Sequence, residues 1–312
     1  MMILAMTCTK PTLIVLTGPT ASGKTSAAIE LAQKLNCKIV SADSRQFYRE
    51  MKIGTAVPSD KDLAATEHFF IGNISIHDPY NISKFENDVL ELLPQLFQES
   101  NYVILCGGSG LYIDAVVNGV DFFPDPDPEL RVELKKLLDE EGIEALRKKL
   151  ETIDPEYYSE VDLYNPVRII RALEVFYATG IKYSEMRKGK SKPRDFNIIK
   201  FCIQTDRDTL YININNRVDE MINSGLIQEA EELYQYKKLT ALKTVGYVEL
   251  FNYFDKIYSL EEAVEKIKTN TRRYAKRQIT WFKRNKDYIY VSPPNVADKI
   301  ILELKKHSNE VS

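Results

Sequence analysis

The chain has little of what builds disulfide frameworks, metal centres or membrane anchors. Its four cysteines, Cys8, Cys37, Cys106 and Cys202, lie far apart with no C-x-x-C pair. That excludes a disulfide scaffold or zinc finger and points to a reducing compartment. The three histidines, His68, His77 and His307, are too scattered to suggest metal ligation. No apolar run approaches the ~20 residues that span a bilayer. The apolar start, MMILAMTCTKPTLIVLTG, lacks the basic flank and A-x-A site of a secretory signal, so a cytoplasmic protein with no membrane partner is expected. Internal repeats and low-complexity tracts are also missing.

What is present is a soluble, globular composition. At 312 residues, 44% hydrophobic and 28% charged, the chain can bury a sizeable core as one large domain or a domain with an insertion. The net charge of −3 exerts no overall pull on a polyanion, but the charge is uneven. Residues 121–162 hold 14 acidic and 6 basic side chains. Residues 166–200 hold 9 basic and 3 acidic ones, and residues 265–286 hold 9 basic and 1 acidic. Such basic stretches either draw a polyanion to one face or are solvated helix faces.

The first third alternates short apolar runs with helical patterns, which predicts an α/β fold with a parallel sheet and helices on both faces. Strands are expected at 13–17, 38–41 and 102–106, with helices near 24–35 and 82–96. From about residue 120, PDPDPELRVELKKLLDEEGIEALRKKL opens with prolines and then places Leu130, Leu134, Leu137 and Leu138 at helical spacing. Everything to about Tyr183 reads as helix. A basic linker, 187–194, leads to a further strand at 197–204, and most of the rest reads as amphipathic helix. The simplest organisation is a core of residues 1–120 and 197–312, interrupted by a helical insertion at 121–196.

Gly18-Pro19-Thr20-Ala21-Ser22-Gly23-Lys24-Thr25 fits G-x-x-x-x-G-K-[ST] between a strand and a helix. Its glycines let backbone N–H groups turn toward a phosphate, and the helix N-terminus adds favourable potential. Lys24 supplies charge to the outer phosphate, and the Thr25 hydroxyl can ligate Mg²⁺. This loop therefore binds a di- or triphosphate. Phosphoryl-transfer enzymes of this type usually hold Mg²⁺ with an acid ending a second core strand. Here 102–106 runs into Gly107-Gly108-Ser109-Gly110, without a carboxylate, which weakens an ATPase reading. The nearest candidate acid is Asp43, after the second strand. It is either a turn residue or, at the sheet's ligand edge, a partner of Lys24 in one pocket.

Seven segments in order resemble the bacterial tRNA dimethylallyltransferase (tRNA isopentenyltransferase) family: GPTASGKT (18–25), SADSRQFYREMKIGTAVP (41–58), GGSGLY (107–112), NPVRIIRALEV (165–175), NNRVDEMINSGLIQE (215–229), LKTVGYVEL (242–250) and RRYAKRQITWFKR (272–284). The resemblance implies a P-loop NTPase-like fold, with Thr20 to Thr25 holding the diphosphate of dimethylallyl diphosphate and Arg217 a second clamp on it. It implies that Asp43 is the general base for the adenine amine, with Ser44, Arg45 and Gln46 contacting the target nucleotide. It also implies that Ser109, Arg131, Val167, Arg168, Ile169, Ile170 and Arg171 contact the tRNA anticodon stem-loop. A monomer is expected.

The chemistry fits the residues. Breaking an allylic C–O bond puts negative charge on the departing diphosphate, where Lys24, Thr25, Mg²⁺ and Arg217 would stabilise it. The adenine amine is a weak nucleophile, which a neighbouring carboxylate assists by taking its proton. Arg272, Arg273, Lys276, Arg277, Lys283 and Arg284 suit RNA phosphates, and Tyr274 and Trp281 suit stacking. At helical spacing, Tyr274, Gln278, Trp281 and Phe282 make a core-facing stripe just as well. Three rivals remain: a small-molecule P-loop kinase, an adenylate isopentenyltransferase acting on free AMP, and a non-catalytic RNA-binding protein.

Overall fold

The computed structural model describes residues 10–310 except 122, 126, 188 and 190, with side chains as far as His307. Cys8, the first part of the apolar start, and residues 126, 188 and 190 of the insertion's two ends lie outside the described residues. The chain divides into two compact units, Met1–Val117 with Arg194–Ser312, and Asn118–Pro193. The expected limits of the insertion fall three residues later at each junction.

Six strands form the sheet of the first unit: β1 (Thr12–Thr17), β2 (Lys38–Ser41), β3 (His68–Phe69), β4 (Tyr102–Gly107), β5 (Asn197–Ile203) and β6 (Tyr288–Val291). Their order is β3-β2-β4-β1-β5-β6 and every pairing is parallel. The helices before the insertion are α1 (Lys24–Leu35), α2 (Asp60–Ala65), α3 (Ile82–Glu99) and α4 (Gly110–Asn118). All six residues of β1 are buried, as a central strand covered on both faces requires. Its side chains alternate between layers. Leu13 and Val15 join Phe85, Val89 and Leu93 of α3, whereas Ile14 and Leu16 join Ala28 and Leu31 of α1. Each such side chain withdrawn from water contributes roughly 1.5–3 kcal/mol.

The insertion holds α5 (Pro128–Glu141), α6 (Ile143–Ile153), α7 (Pro155–Glu160), α8 (Pro166–Thr179) and α9 (Tyr183–Met186). Leu134, Leu146, Leu150, Ile169 and Leu173 form a core of its own. The capping chemistry sets α8: the Asn165 side chain accepts from Arg168 N, Pro166 takes the first turn, and left-handed Gly180 ends it. After β5 come α10 (Arg207–Asn223), α11 (Leu226–Leu233), α12 (Tyr247–Phe254), α13 (Leu260–Lys283) and, after β6, α14 (Val296–Glu310). Ile300 and Leu304 of α14 complete the α1 layer. Among the described residues, no helix is long and apolar enough to cross a membrane.

Candidate active site at the phosphate loop

Gly23 takes φ +83°, a left-handed conformation that suits glycine, and from it the chain enters α1. No side chain caps α1 and its first turn carries no acid, so its leading amides stay free for an anion. Lys24 Nζ donates to Pro19 O at 2.7 Å, which curls the side chain back over the loop. Burial lowers the Lys24 ammonium to about 8; the Arg217 guanidinium adds to the push and Asp43 opposes it. From α10, Arg217 reaches Thr20 Oγ1 at 3.4 Å and Asn213 Nδ2 donates to Ala21 O at 3.2 Å. Burial lowers Arg217 as well, with Glu220 and Asp43 opposing. Ser22 Oγ is buried with no partner, an orphan that a phosphate oxygen would satisfy.

Asp43 serves in both of its expected capacities. Its Oδ1 accepts from Arg45 N at 3.0 Å, an Asx turn at the end of β2, while Oδ2 makes no hydrogen bond among the described residues. A cavity of about 50 Å³ is lined by Lys24, Thr25, Ser41, Asp43, Gln46 and Cys106, so Lys24 and Asp43 face one space. A larger cavity of about 740 Å³ has Pro19, Leu210, Tyr211, Ala275 and Ile279 in its wall but not Asp43. The small cavity is the one that joins the charged groups Lys24 and Asp43. Burial holds the Cys106 thiol at about 11, which removes it as a nucleophile at neutral pH.

The neighbours of Asp43 are drawn together differently from the sequence expectation. Ser44 N donates to Ser109 Oγ at 3.0 Å, and Ser109 Oγ donates to Ser44 Oγ at 3.1 Å. Burial pushes the phenol of Tyr274 on α13 up to about 12. Arg45 donates to Thr240 O and Ala241 O. Gln46 Nε2 donates to Thr55 O and Ala56 O, and its Oε1 accepts from Ser41 Oγ. The polar groups expected on the nucleotide thus already hold the loops around Asp43.

Two of the residues expected on RNA need correction, and two more carry further partners. Ile169 and Ile170 are buried in the insertion core, because α8 turns that face inward, and their side chains cannot meet a ligand. Arg131 pairs bidentately with Glu174, itself 1% exposed, through Nε and Nη2. Arg171 donates to the same carboxylate and to Pro124 O. Only Val167 and Arg168 of that stretch are exposed. On α13 the core-stripe alternative holds for three residues: Gln278 and Phe282 are buried, and half-buried Trp281 donates from Nε1 to Asp114 at 3.0 Å. Arg273, Lys276, Arg277, Lys283 and Arg284 are exposed.

Sequence reasoning missed Asn213 as a support of the loop and placed Gln278 only as packing. In the structure, Gln278 accepts from Thr20 N at 2.8 Å and donates to Gly108 O at 2.9 Å. The available signal was an amide within an otherwise apolar stripe.

The family model described as IPP transferase matches residues 46–285 of the chain. The tRNA dimethylallyltransferase of Christiangramia forsetii is 51% identical over 88% of this chain and 90% of its own length. That of Flavobacterium psychrophilum is 48% identical over 93% of this chain and 96% of its own. Among solved structures, the full-length tRNA isopentenylpyrophosphate transferase of Bacillus halodurans superposes with a TM-score of 0.69 and is 33% identical, covering 97% of this chain and 96% of that one.

Proposed function

Since the chain belongs to the IPP transferase family, we infer that it acts as a tRNA dimethylallyltransferase. It moves a dimethylallyl group from dimethylallyl diphosphate to the N6 amine of the adenosine 3′ to the anticodon and releases diphosphate. The observation that carries this reading is the single cavity shared by Lys24, Thr25 and Asp43.

The diphosphate lies against the amides at the start of α1, with Lys24 and Arg217 on its oxygens. As the allylic C–O bond breaks, the electron pair leaves with the diphosphate, and these cations sit where its charge grows. The N6 nitrogen attacks the allylic carbon, and the proton it loses passes to Asp43 Oδ2, the carboxylate oxygen left free by the Asx turn. The adenine must leave its stack to reach this space, which costs least in a single-stranded loop.

No group of three or more His, Cys, Asp or Glu side chains that could hold a metal occurs among the described residues. The donors at the site are oxygens, from Thr25 and the diphosphate itself, and these suit Mg²⁺. Bound there, Mg²⁺ would add positive charge beside the leaving group. In the first unit the exposed basic face of α13 suits RNA phosphates, and in the insertion the exposed Val167 and Arg168 suit an anticodon stem-loop. The enzyme works as a monomer in the cytoplasm, where its tRNA substrate is found.

Incubating the protein with dimethylallyl diphosphate, Mg²⁺ and an unmodified anticodon stem-loop should add one C5H8 unit to the RNA. Mass spectrometry of the nucleosides reads this directly. AMP in place of RNA should give no product, and ATP in place of the prenyl donor should transfer no phosphate. Prenylation of AMP but not RNA would overturn the substrate assignment.

A further inference from the structure

We propose that Gln278 is a positioning residue for the phosphate loop, a clip by which α13 sets the conformation of Thr20. The inference rests on the prenyl-transfer reading only for its functional consequence. Its geometry stands on three observations. The Gln278 side chain is 6% exposed and both ends of its amide are used. Oε1 accepts from the Thr20 amide at 2.8 Å, and Nε2 donates to the Gly108 carbonyl at 2.9 Å. One side chain therefore ties together the loops that leave the paired strands β1 and β4.

The clip selects which groups of the loop remain for a ligand. With its N–H engaged by Gln278, Thr20 offers its hydroxyl instead, and that hydroxyl is the atom Arg217 reaches. Gly108 makes room for the arrangement: a Cβ there would lie 2.3 Å from Gln278 Nε2. An amide is the required chemistry. A glutamate could accept from Thr20 but would set a carboxylate oxygen against the Gly108 carbonyl. A methionine of similar length could not donate to Gly108 and would accept only weakly from Thr20.

The test uses the full chain with Gln278→Met, Gln278→Glu and Gly108→Ala, and inorganic diphosphate as the probe. Calorimetry should show diphosphate binding weakened about tenfold or more in each, as expected when a buried hydrogen-bonded pair is left unmade. KM for dimethylallyl diphosphate should rise by a similar factor, while the Kd for the anticodon stem-loop stays within about twofold. A purely structural role would lower the melting temperature and reduce RNA and diphosphate binding together. In a Gln278→Ala background Gly108→Ala should cost much less, because the clash partner is gone. Unchanged diphosphate affinity in Gln278→Met, or additive effects in the double variant, would overturn the proposal. Prenyl transfer is not needed for the calorimetric arm, so an inert parent enzyme would sink the functional reading separately.

Discussion

At the scale of single residues, Asp43 divides its two oxygens between a turn and the cavity, and the two uses can be separated. Asp43→Asn can keep the turn, since its amide oxygen also accepts from Arg45 N, but it cannot take a proton. We expect Asp43→Asn and Asp43→Ala to bind the stem-loop like the parent and to lose about 10²–10⁴-fold in single-turnover prenyl transfer. Turnover within a few-fold of the parent would remove Asp43 from the base role. Lys24→Ala should raise the donor KM and lower kcat by roughly 10²–10³-fold, because it withdraws charge from the leaving group. Beside this cavity, His68 gives a pH prediction. Burial, the largest cause, lowers its pKa, and its Nδ1 faces the Thr66 carbonyl at 2.7 Å. The unfolded chain therefore binds a proton more readily than the native one, and stability is lost as pH falls through about 6.5. In urea melts between pH 7.5 and 5.5, His68→Gln should lose less stability than the parent over that interval.

At the scale of elements, local chemistry explains which parts could be read in advance. The phosphate loop, β1, β2 and Asp43 were legible because their signals are contiguous: an apolar run, a glycine turn, a helix start. The insertion's helices were legible from leucine spacing and proline starts. β3 was not, since two residues carry no periodicity, and β6 was lost among flanking helical patterns. Ile169 and Ile170 were misplaced because family position says nothing about which helix face turns inward. The Gln278 clip left only an amide in an apolar stripe as its signal, because no pattern along a chain names a partner 258 positions away. Another such long-range tie governs the chain's return from the insertion. Arg194 donates to Glu86 of α3 and to the Ala115 and Val116 carbonyls of α4, with its side chain 9% and that of Glu86 4% exposed. Glu86→Ala strands a buried guanidinium and should destabilise the fold by about 3–5 kcal/mol, read as a shift in urea midpoint. An unshifted midpoint would mean that water reaches Arg194.

At the scale of the whole molecule, a chain of net charge −3 must bind a polyanion through local concentration of charge. The core stripe of α13 is committed to packing, so its exposed arginines and lysines are free to meet phosphates. The triple variant Arg273→Ala, Lys276→Ala, Arg277→Ala should weaken stem-loop binding and flatten the plot of log K against log salt by about 2–3 units, roughly 0.7–0.9 for each phosphate no longer neutralised. An unchanged slope would move the RNA to another surface.

The same sheet that carries the phosphate loop and Asp43 also determines how long they stay in place. β1 lies inside the sheet, paired to β4 on one side and β5 on the other, with all six residues buried. Its amides can trade hydrogen for deuterium only when the entire unit opens, while α2 and other peripheral segments open with little cost. The phosphate loop therefore hangs from a segment expected to exchange slowly, so warming should fray the surroundings before the anchor lets go.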